Sequence, residues 1–305
     1  MISASAVTLA SRCLRRAAFK YGSDVVPAPE PESEAITLGK EGHSILEAYQ
    51  VEGRSPPPGT LGDLCRLGLR WLPHPKQANA EGLFNVTISG VPYLGYIDLE
   101  APESNIFPGI TDQGSIPAVV DYKFSKDPER YGITAPEDFL KDPQALLYAA
   151  YSFVKYGTSR VFMRWLKFRT QGAPKVFAVD AVLTRQAVTK AFGQVVHPRA
   201  KTLVAIREKN TDPNEWTPNY EACHDFGRPC PFMASCKPRS YDMSLLDEMR
   251  NLVETTAPNG AQAPAINPPS MIVEQQVPPM DMPMPALKVI LEELGAALTR
   301  AASRV

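Results

Sequence analysis

No run of this 305-residue chain approaches the roughly 18 consecutive apolar residues that a membrane span requires. The weakly apolar start, Met1 to Ala10, has no basic residue ahead of it. Arg12, Arg15, Arg16 and Lys20 follow it instead, the reverse of a signal peptide, so a cytoplasmic protein is expected. Net charge is almost absent, at −1. That argues against a passive nucleic-acid coat, whose affinity rests on many phosphate contacts. It leaves room for a carboxylate-rich site whose charge offsets a local basic groove. There is no internal repeat. Closely spaced Cys-x₂₋₄-Cys pairs, the usual mark of a structural zinc site, are missing too.

What is present reads as alternating helices and strands. A short N-terminal helix over 1–24 carries Cys13 and a basic face, and a Pro/Glu loop follows. Helices are expected at about 38–50 and 61–72 from their spaced apolar residues. Between 83 and 100 the period changes to two, with Phe84, Val86 and Ile88 alternating and Gly90 allowing a turn. Residues 101–117 read as an irregular insertion at a sheet edge. A strand at 118–123, a helix at about 136–155, a hairpin at 160–168 and 175–183, and a helix at 184–208 follow. The expected class is α/β, with a central mixed sheet flanked by helices.

The segment Val119-Val120-Asp121-Tyr122-Lys123 puts an acid and a base two residues apart on a strand, hence on one face. Asp98 ends the preceding strand and offers a second carboxylate. His43 and Glu47 stand one helical turn apart. Hard oxygen donors of this kind suit Mg²⁺ or Mn²⁺, and a neighbouring lysine balances charge on a phosphate. The order Gly39-x-x-x-His43, Gly95-x-Ile97-Asp98, Asp121-Tyr122-Lys123, Gln144-x-x-x-Tyr148 resembles the RecB-like nucleases of the PD-(D/E)xK superfamily. The resemblance spans roughly residues 3–237 and implies a restriction-endonuclease-like core. It implies that His43, Asp98, Asp121 and the Tyr122 carbonyl ligate a divalent ion. It further implies that Lys123 orients or activates water, and that Gln144 and Tyr148 line the site. The implied activity is metal-dependent DNA hydrolysis, exonucleolytic and on single-stranded or free ends, in recombination, repair or CRISPR spacer acquisition. A non-catalytic DNA-end-binding subunit is the competing expectation.

Cys223, Cys230 and Cys236 cluster near the end of this region, and Cys13 lies more than 200 residues upstream. Thiolates so spaced favour a soft metal, zinc or iron–sulfur. The set is similar to the iron–sulfur branch of the same nucleases, which includes the AddB nuclease domains and the CRISPR-associated RecB-like exonucleases. A phage origin would suit a compact stand-alone member. There, one N-terminal and three C-terminal cysteines clamp the domain ends around a 4Fe–4S cluster, with His224 an alternative donor to Cys223 here. Cys65, on a Leu-rich helix, reads as a buried apolar residue.

Two basic clusters have a choice of roles. Arg12, Arg15, Arg16 and Lys20 form one. Arg160, Arg164, Lys167 and Arg169, interleaved with Phe162, Trp165 and Phe168, form the other, either a single-strand track or a half-buried strand. The expected organisation is a nuclease domain over 1–255, a Pro/Met-rich linker over 256–285, and a C-terminal amphipathic helix over 286–305. The apolar stripe Leu287, Ile290, Leu291, Leu294 and Leu298 of that helix suits docking to a protein partner.

Overall fold

The computed structural model of the chain describes residues 1–29, 33–110, 116–209 and 211–237. The expected linker and C-terminal helix lie outside the described residues, as does the last part of the 1–255 domain. Five strands form one sheet in sequential order: β1 (Asn79–Ile88), β2 (Val91–Ala101), β3 (Ala118–Ser125), β4 (Arg160–Arg169) and β5 (Val176–Thr184). Only β3 and β4 run parallel; the other neighbours are antiparallel. The α/β class and mixed sheet are therefore as expected. Helices α1 (Ala4–Arg12), α2 (Leu14–Tyr21), α3 (Glu34–Glu52), α4 (Thr60–Gly68), α5 (Pro143–Tyr156), α6 (Arg185–Val195) and α7 (His197–Lys209) surround it. Among the described residues, no helix is long and apolar enough to cross a membrane.

The two faces of the sheet bury separate apolar layers. Val119, Met163 and Trp165 pack with α1, α5, α6 and α7. Val120, Tyr122, Leu166 and Phe168 pack with α3 and α4. Alternation along β3 thus gives Asp121 and Lys123 to the α5 face. Asp142 caps α5 by accepting from the Ala145 amide at 2.8 Å, and Pro143 opens the helix without needing a donor.

Four expectations need correction. The N-terminal helix is two helices, broken at Cys13, whose extended backbone ends α1 and whose sulfur caps α2. The helix expected over 184–208 breaks at Val196, because Pro198 supplies no amide to continue it. Residues 136–140 form a separate 3₁₀ turn ahead of α5. Segment 101–117 is no edge insertion: it joins two inner strands and buries Ser104, Phe107 and Ile116 beneath the α3 layer.

One contact sets how closely α3 approaches the sheet. A Cβ at Gly42 would stand 2.3 Å from the Phe124 ring, which is itself stacked on Phe168 at 4.4 Å. Gly42 is buried, and the next residue is His43. Gly42→Ala is therefore expected to push α3 outward and cost about 1–3 kcal/mol, the usual range for overpacking. Chemical denaturation checks this; a midpoint equal to the parent's would show that the ring gives way freely.

Candidate metal and phosphodiester site

Pairing between β2 and β3 stops at Leu99 and Val120, so Asp98 and Asp121 occupy the next register position, where the ladder opens. The opening has a cause. The Tyr122 amide donates to Asp98 Oδ2 at 2.6 Å, so a side chain replaces the partner strand's carbonyl.

Around Asp98 the donors converge. His43 Nδ1 lies 3.3 Å from Asp98 Oδ1, and Nε2 lies 3.0 Å from the Tyr122 carbonyl. Among the described residues, one trio of acids, histidines or cysteines brings its ligand atoms within 4.8 Å of one another: His43, Glu81 and Asp98. Glu81 was not legible in the sequence. It sits near the start of β1 with φ +51, a left-handed backbone that turns it out of the strand's alternation, and no motif marks it. Glu47, one turn from His43, is not in the trio. Burial and the Asp98 carboxylate push the Glu81 carboxyl up. Burial alone would lower the His43 imidazole, but the hydrogen bond and charge of Asp98 outweigh it, so the net shift is upward. A ring with an acceptor at each nitrogen is held where a cation is welcome.

Around Asp121 a second network forms. Asp121 is buried, and its Oδ2 lies 2.6 Å from Lys123 Nζ. Lys123 donates to Gln144 Oε1 at 2.9 Å, while Gln144 Nε2 lies 2.8 Å from Asp121 Oδ1 and 2.6 Å from the Tyr148 hydroxyl. Tyr148 donates to the Tyr96 carbonyl, tying α5 to β2. Burial pushes the Asp121 carboxyl up to about 7, against the opposing pull of Lys123 and with a further push from Asp98. Lys123 is held above its ordinary value by Asp121, which outweighs its own burial. All seven sequence-selected residues, His43, Asp98, Asp121, Tyr122, Lys123, Gln144 and Tyr148, thus fall in two adjoining networks at one opening of the sheet.

The donor set fits a hard divalent cation: carboxylates, a peptide carbonyl and one imidazole nitrogen. These residues compose a candidate site for binding such an ion beside a lysine.

The four clustered cysteines line one cavity of about 160 Å³ with Phe19, Phe232 and Arg16. Cys13 Sγ accepts from the amides of Arg16 and Asn219, each at 3.4 Å. Burial pushes the Cys223 and Cys230 thiols up, and the other clustered sulfurs add to this. Cys223, not His224, lines the cavity. Cys65 stands apart, wholly buried, its thiol pushed up to about 12 by burial alone.

The β4 cluster resolves as structure. Trp165 and Phe168 are core, Arg164 forms a two-toothed pair with Asp180, and buried Lys167 donates to the carbonyls of Tyr131 and Ile133.

The upward shifts of His43 and Asp121 have a consequence for the metal-free protein. A folded-state pKa above the unfolded value gives stability that is full below the unfolded pKa and lost as pH rises through the folded one. Both groups act in this direction. Metal-free protein is therefore expected to melt at a higher temperature at pH 6 than at pH 8, and Asp121→Asn should remove most of the difference. A pH-independent melting temperature in the parent would contradict a net upward shift of the buried Asp121 carboxyl.

No protein-family model matches this chain, and no curated protein matches it by sequence. Among solved structures, it is similar to a protein of Eubacterium rectale named "Putative exonuclease", at 15% identity and a TM-score of 0.46, covering 80% of this chain and 91% of that one. It is similar also to a protein named SSO0001, at 12% identity and a TM-score of 0.32, covering 77% of this chain and 85% of that one.

Proposed function

We propose that this protein is a metal-dependent nuclease that hydrolyses phosphodiester bonds in DNA, acting at single-stranded or free ends. The observation that carries the reading is the junction of two networks at the β2–β3 opening. One is a set of hard donors, His43, Glu81, Asp98 and the Tyr122 carbonyl. The other is an acid–lysine–amide–phenol relay, Asp121, Lys123, Gln144 and Tyr148.

Asp98, Asp121, His43 and the Tyr122 carbonyl would hold Mg²⁺ or Mn²⁺, with Glu81 an added donor. The ion's chemistry is to polarise a phosphoryl oxygen and lower the pKa of water. Lys123 is held charged by Asp121 and aimed by Gln144, so it can donate to a phosphoryl oxygen as charge builds. Gln144 spans Lys123 and Tyr148 and so fixes the lysine's rotamer. A non-catalytic end-binding subunit would have no need of a buried carboxylate paired with a partly exposed lysine at the same opening.

The cysteine cavity supports a bound 4Fe–4S cluster in preference to zinc. Zinc at about 2.3 Å from each sulfur would bring the sulfurs to within about 3.8 Å of one another. Here no three of the described cysteine sulfurs lie within 4.8 Å, yet all four border one cavity. Such a cluster would clamp the chain's N-terminal helices to residues 213–237. Recombination, repair and CRISPR spacer acquisition are the settings in which such an activity would serve, and the apolar stripe over 286–305 would suit a protein partner.

Two measurements test this. Asp121→Ala removes a carboxylate that the reading gives to the ion and that also repels the incoming phosphate. Cleavage of a labelled single strand should fall by orders of magnitude, while metal-free binding stays equal or tightens; Lys123→Ala should lose cleavage and bind slightly more weakly. If Asp121→Ala cuts as fast as the parent, the assignment is wrong. Separately, anaerobically purified protein should carry about four irons per chain, and stoichiometric zinc without iron would refute the cluster.

A further inference from the structure

Among the described residues two arginines are buried, Arg15 and Arg164, each with 1% of its surface exposed. A guanidinium keeps its charge inside a protein, so burial without an anion is costly. Arg164 has its anion. It forms a two-toothed pair with Asp180, at 2.9 and 2.8 Å. Arg15 has no carboxylate within ion-pair distance among the described residues. Asp212 feels its charge, but less than it feels the Asn214 amide or the charge of Lys237.

What Arg15 does reach is two carbonyls and a sulfur. Its Nε donates to the Trp216 carbonyl at 2.9 Å. Its Nη1 donates to the Lys237 carbonyl and to Cys236 Sγ, the latter at 3.7 Å. Its Nη2 is buried with no hydrogen-bond partner among the described residues. A carbonyl carries a dipole but no net charge. Cys236 is therefore the one contact of Arg15 that becomes an anion, by losing its thiol proton. Cys236 is also one of the four cysteines around the cavity. Sulfurs that ligate a soft metal are deprotonated. Four thiolates outweigh the positive charge of a 4Fe–4S core or of zinc, so the filled cage is a net anion. Two other charges face it. Beyond burial and the Phe232 amide, Arg16 pulls the Cys230 thiol down, and behind burial and the neighbouring sulfurs Asp225 pushes the Cys223 thiol up. Arg16 and Asp225 are of opposite sign, lie 3.9 Å apart and are partly exposed, so water screens them. Arg15 is the buried charge.

We infer that Arg15 is the countercharge of the group that the four cysteines hold, a positioning residue that raises the potential at which this group accepts an electron. It acts through the Cys236 sulfur. A buried cation beside the cage stabilises added negative charge, so reduction is easier than in the same cage without it. The two carbonyl bonds keep the guanidinium from turning out to water. In the empty cage the same residue is a buried charge against a neutral thiol, which links filling of the cage to the stability of the fold. The inference rests on the cluster reading for the electron; the countercharge itself does not require iron.

The test is the midpoint potential of the anaerobically purified whole chain, read by electron paramagnetic resonance as dithionite, the electron donor, is titrated in with mediators. Arg15→Gln removes the charge, and its midpoint should fall by about tenfold in the redox equilibrium constant, about 59 mV for one electron. Arg15→Lys keeps the charge but cannot span all three partners, so it should melt at a lower temperature than the parent and hold the parent's midpoint. A tether and nothing more would lower both melting temperatures and move neither midpoint. Arg15→Gln with full iron and the parent's midpoint therefore overturns the inference. Should neither arginine variant fold, Asp225→Asn decides. Loss of that negative charge beside Cys223 should raise the midpoint, and an unmoved midpoint would show that charges around the cage do not act on the group. A parent holding zinc and no iron would refute the cluster reading and leave the countercharge to be read from EDTA challenge. Arg15→Gln should then give up zinc about tenfold faster than Arg15→Lys, the usual cost of losing an outer-shell partner, and equal rates would end the inference. A parent that holds neither metal after anaerobic reconstitution sinks both.

Discussion

Asp121 is a carboxylate at the centre of a five-stranded sheet, and the arrangement around it follows from keeping that position tolerable. An isolated charge taken out of water is costly unless paired and hydrogen-bonded. Lys123 supplies the charge and Gln144 an N–H, and each of these is in turn fixed. Gln144 sits one residue beyond the Pro143 that opens α5, so the cap at Asp142 sets its position. Tyr148, a turn later, bonds both Gln144 and the Tyr96 carbonyl, and so ties α5 to the strand that carries Asp98. One buried carboxylate thereby couples β2, β3 and α5. Such a relay is a poor way to gain stability, since apolar residues of equal volume often do as well.

A second constraint acts at the chain's ends. Residues near 13 and near 216–237 are fastened by side chains, a sulfur and the backbone, where the Arg15 amide donates to the Thr217 carbonyl at 3.3 Å. Asn219 donates to the Arg12 carbonyl, Arg15 reaches Trp216 and Lys237, and Phe19 stacks on Phe232 at 5.4 Å. Closing a loop of this length costs chain entropy that grows only slowly with its size, so a few such contacts offset it. The fastening also decides where α1 lies. Ile2 forms an isolated parallel bridge to Tyr93 of β2, and α1 packs on α5 and α7 from there. The placement of α1 is thus a by-product of how the ends are held.

Much of this was legible in the sequence, for identifiable reasons. Period-two alternation located β1 and β2 to within a few residues, and the turn at Gln171-Gly172 marked the hairpin of β4 and β5. The Asp121–Lys123 spacing indicated their shared face, and Gln144-x-x-x-Tyr148 indicated one side of a helix. What escaped had no local signature. Glu81 reaches the site through a left-handed backbone that spacing does not reveal. The helix breaks at Cys13 and Val196 depend on a sulfur acting as a cap and on a proline one residue into the next helix. The segment over 101–117 reads as irregular, yet Phe107 and Ile116 fill the layer under α3. Burial of scattered apolar residues is a tertiary fact.

The two basic clusters show where sequence reasoning about charge stops. Written out, Arg160 to Arg169 looks the better nucleic-acid binder, because its cations alternate with aromatic rings. On a strand inside a two-layered sheet, however, alternation sends successive side chains to opposite faces, and here both faces are covered. Arg164 is consumed by Asp180, while Lys167, Cα partner of Lys123, is spent on two carbonyls and lowered by burial. Lys123 differs from its neighbour by having Asp121 beside it, which raises it instead. The cluster from Arg12 to Lys20 has no such alternation, but it lies on surface helices with one buried face each. Arg12 and Arg16 both reach Asp225 at the surface, while Arg15 alone is buried. Whether a cation is available to a phosphate depends on which acids and carbonyls face it, and the period of its element decides that before its composition does.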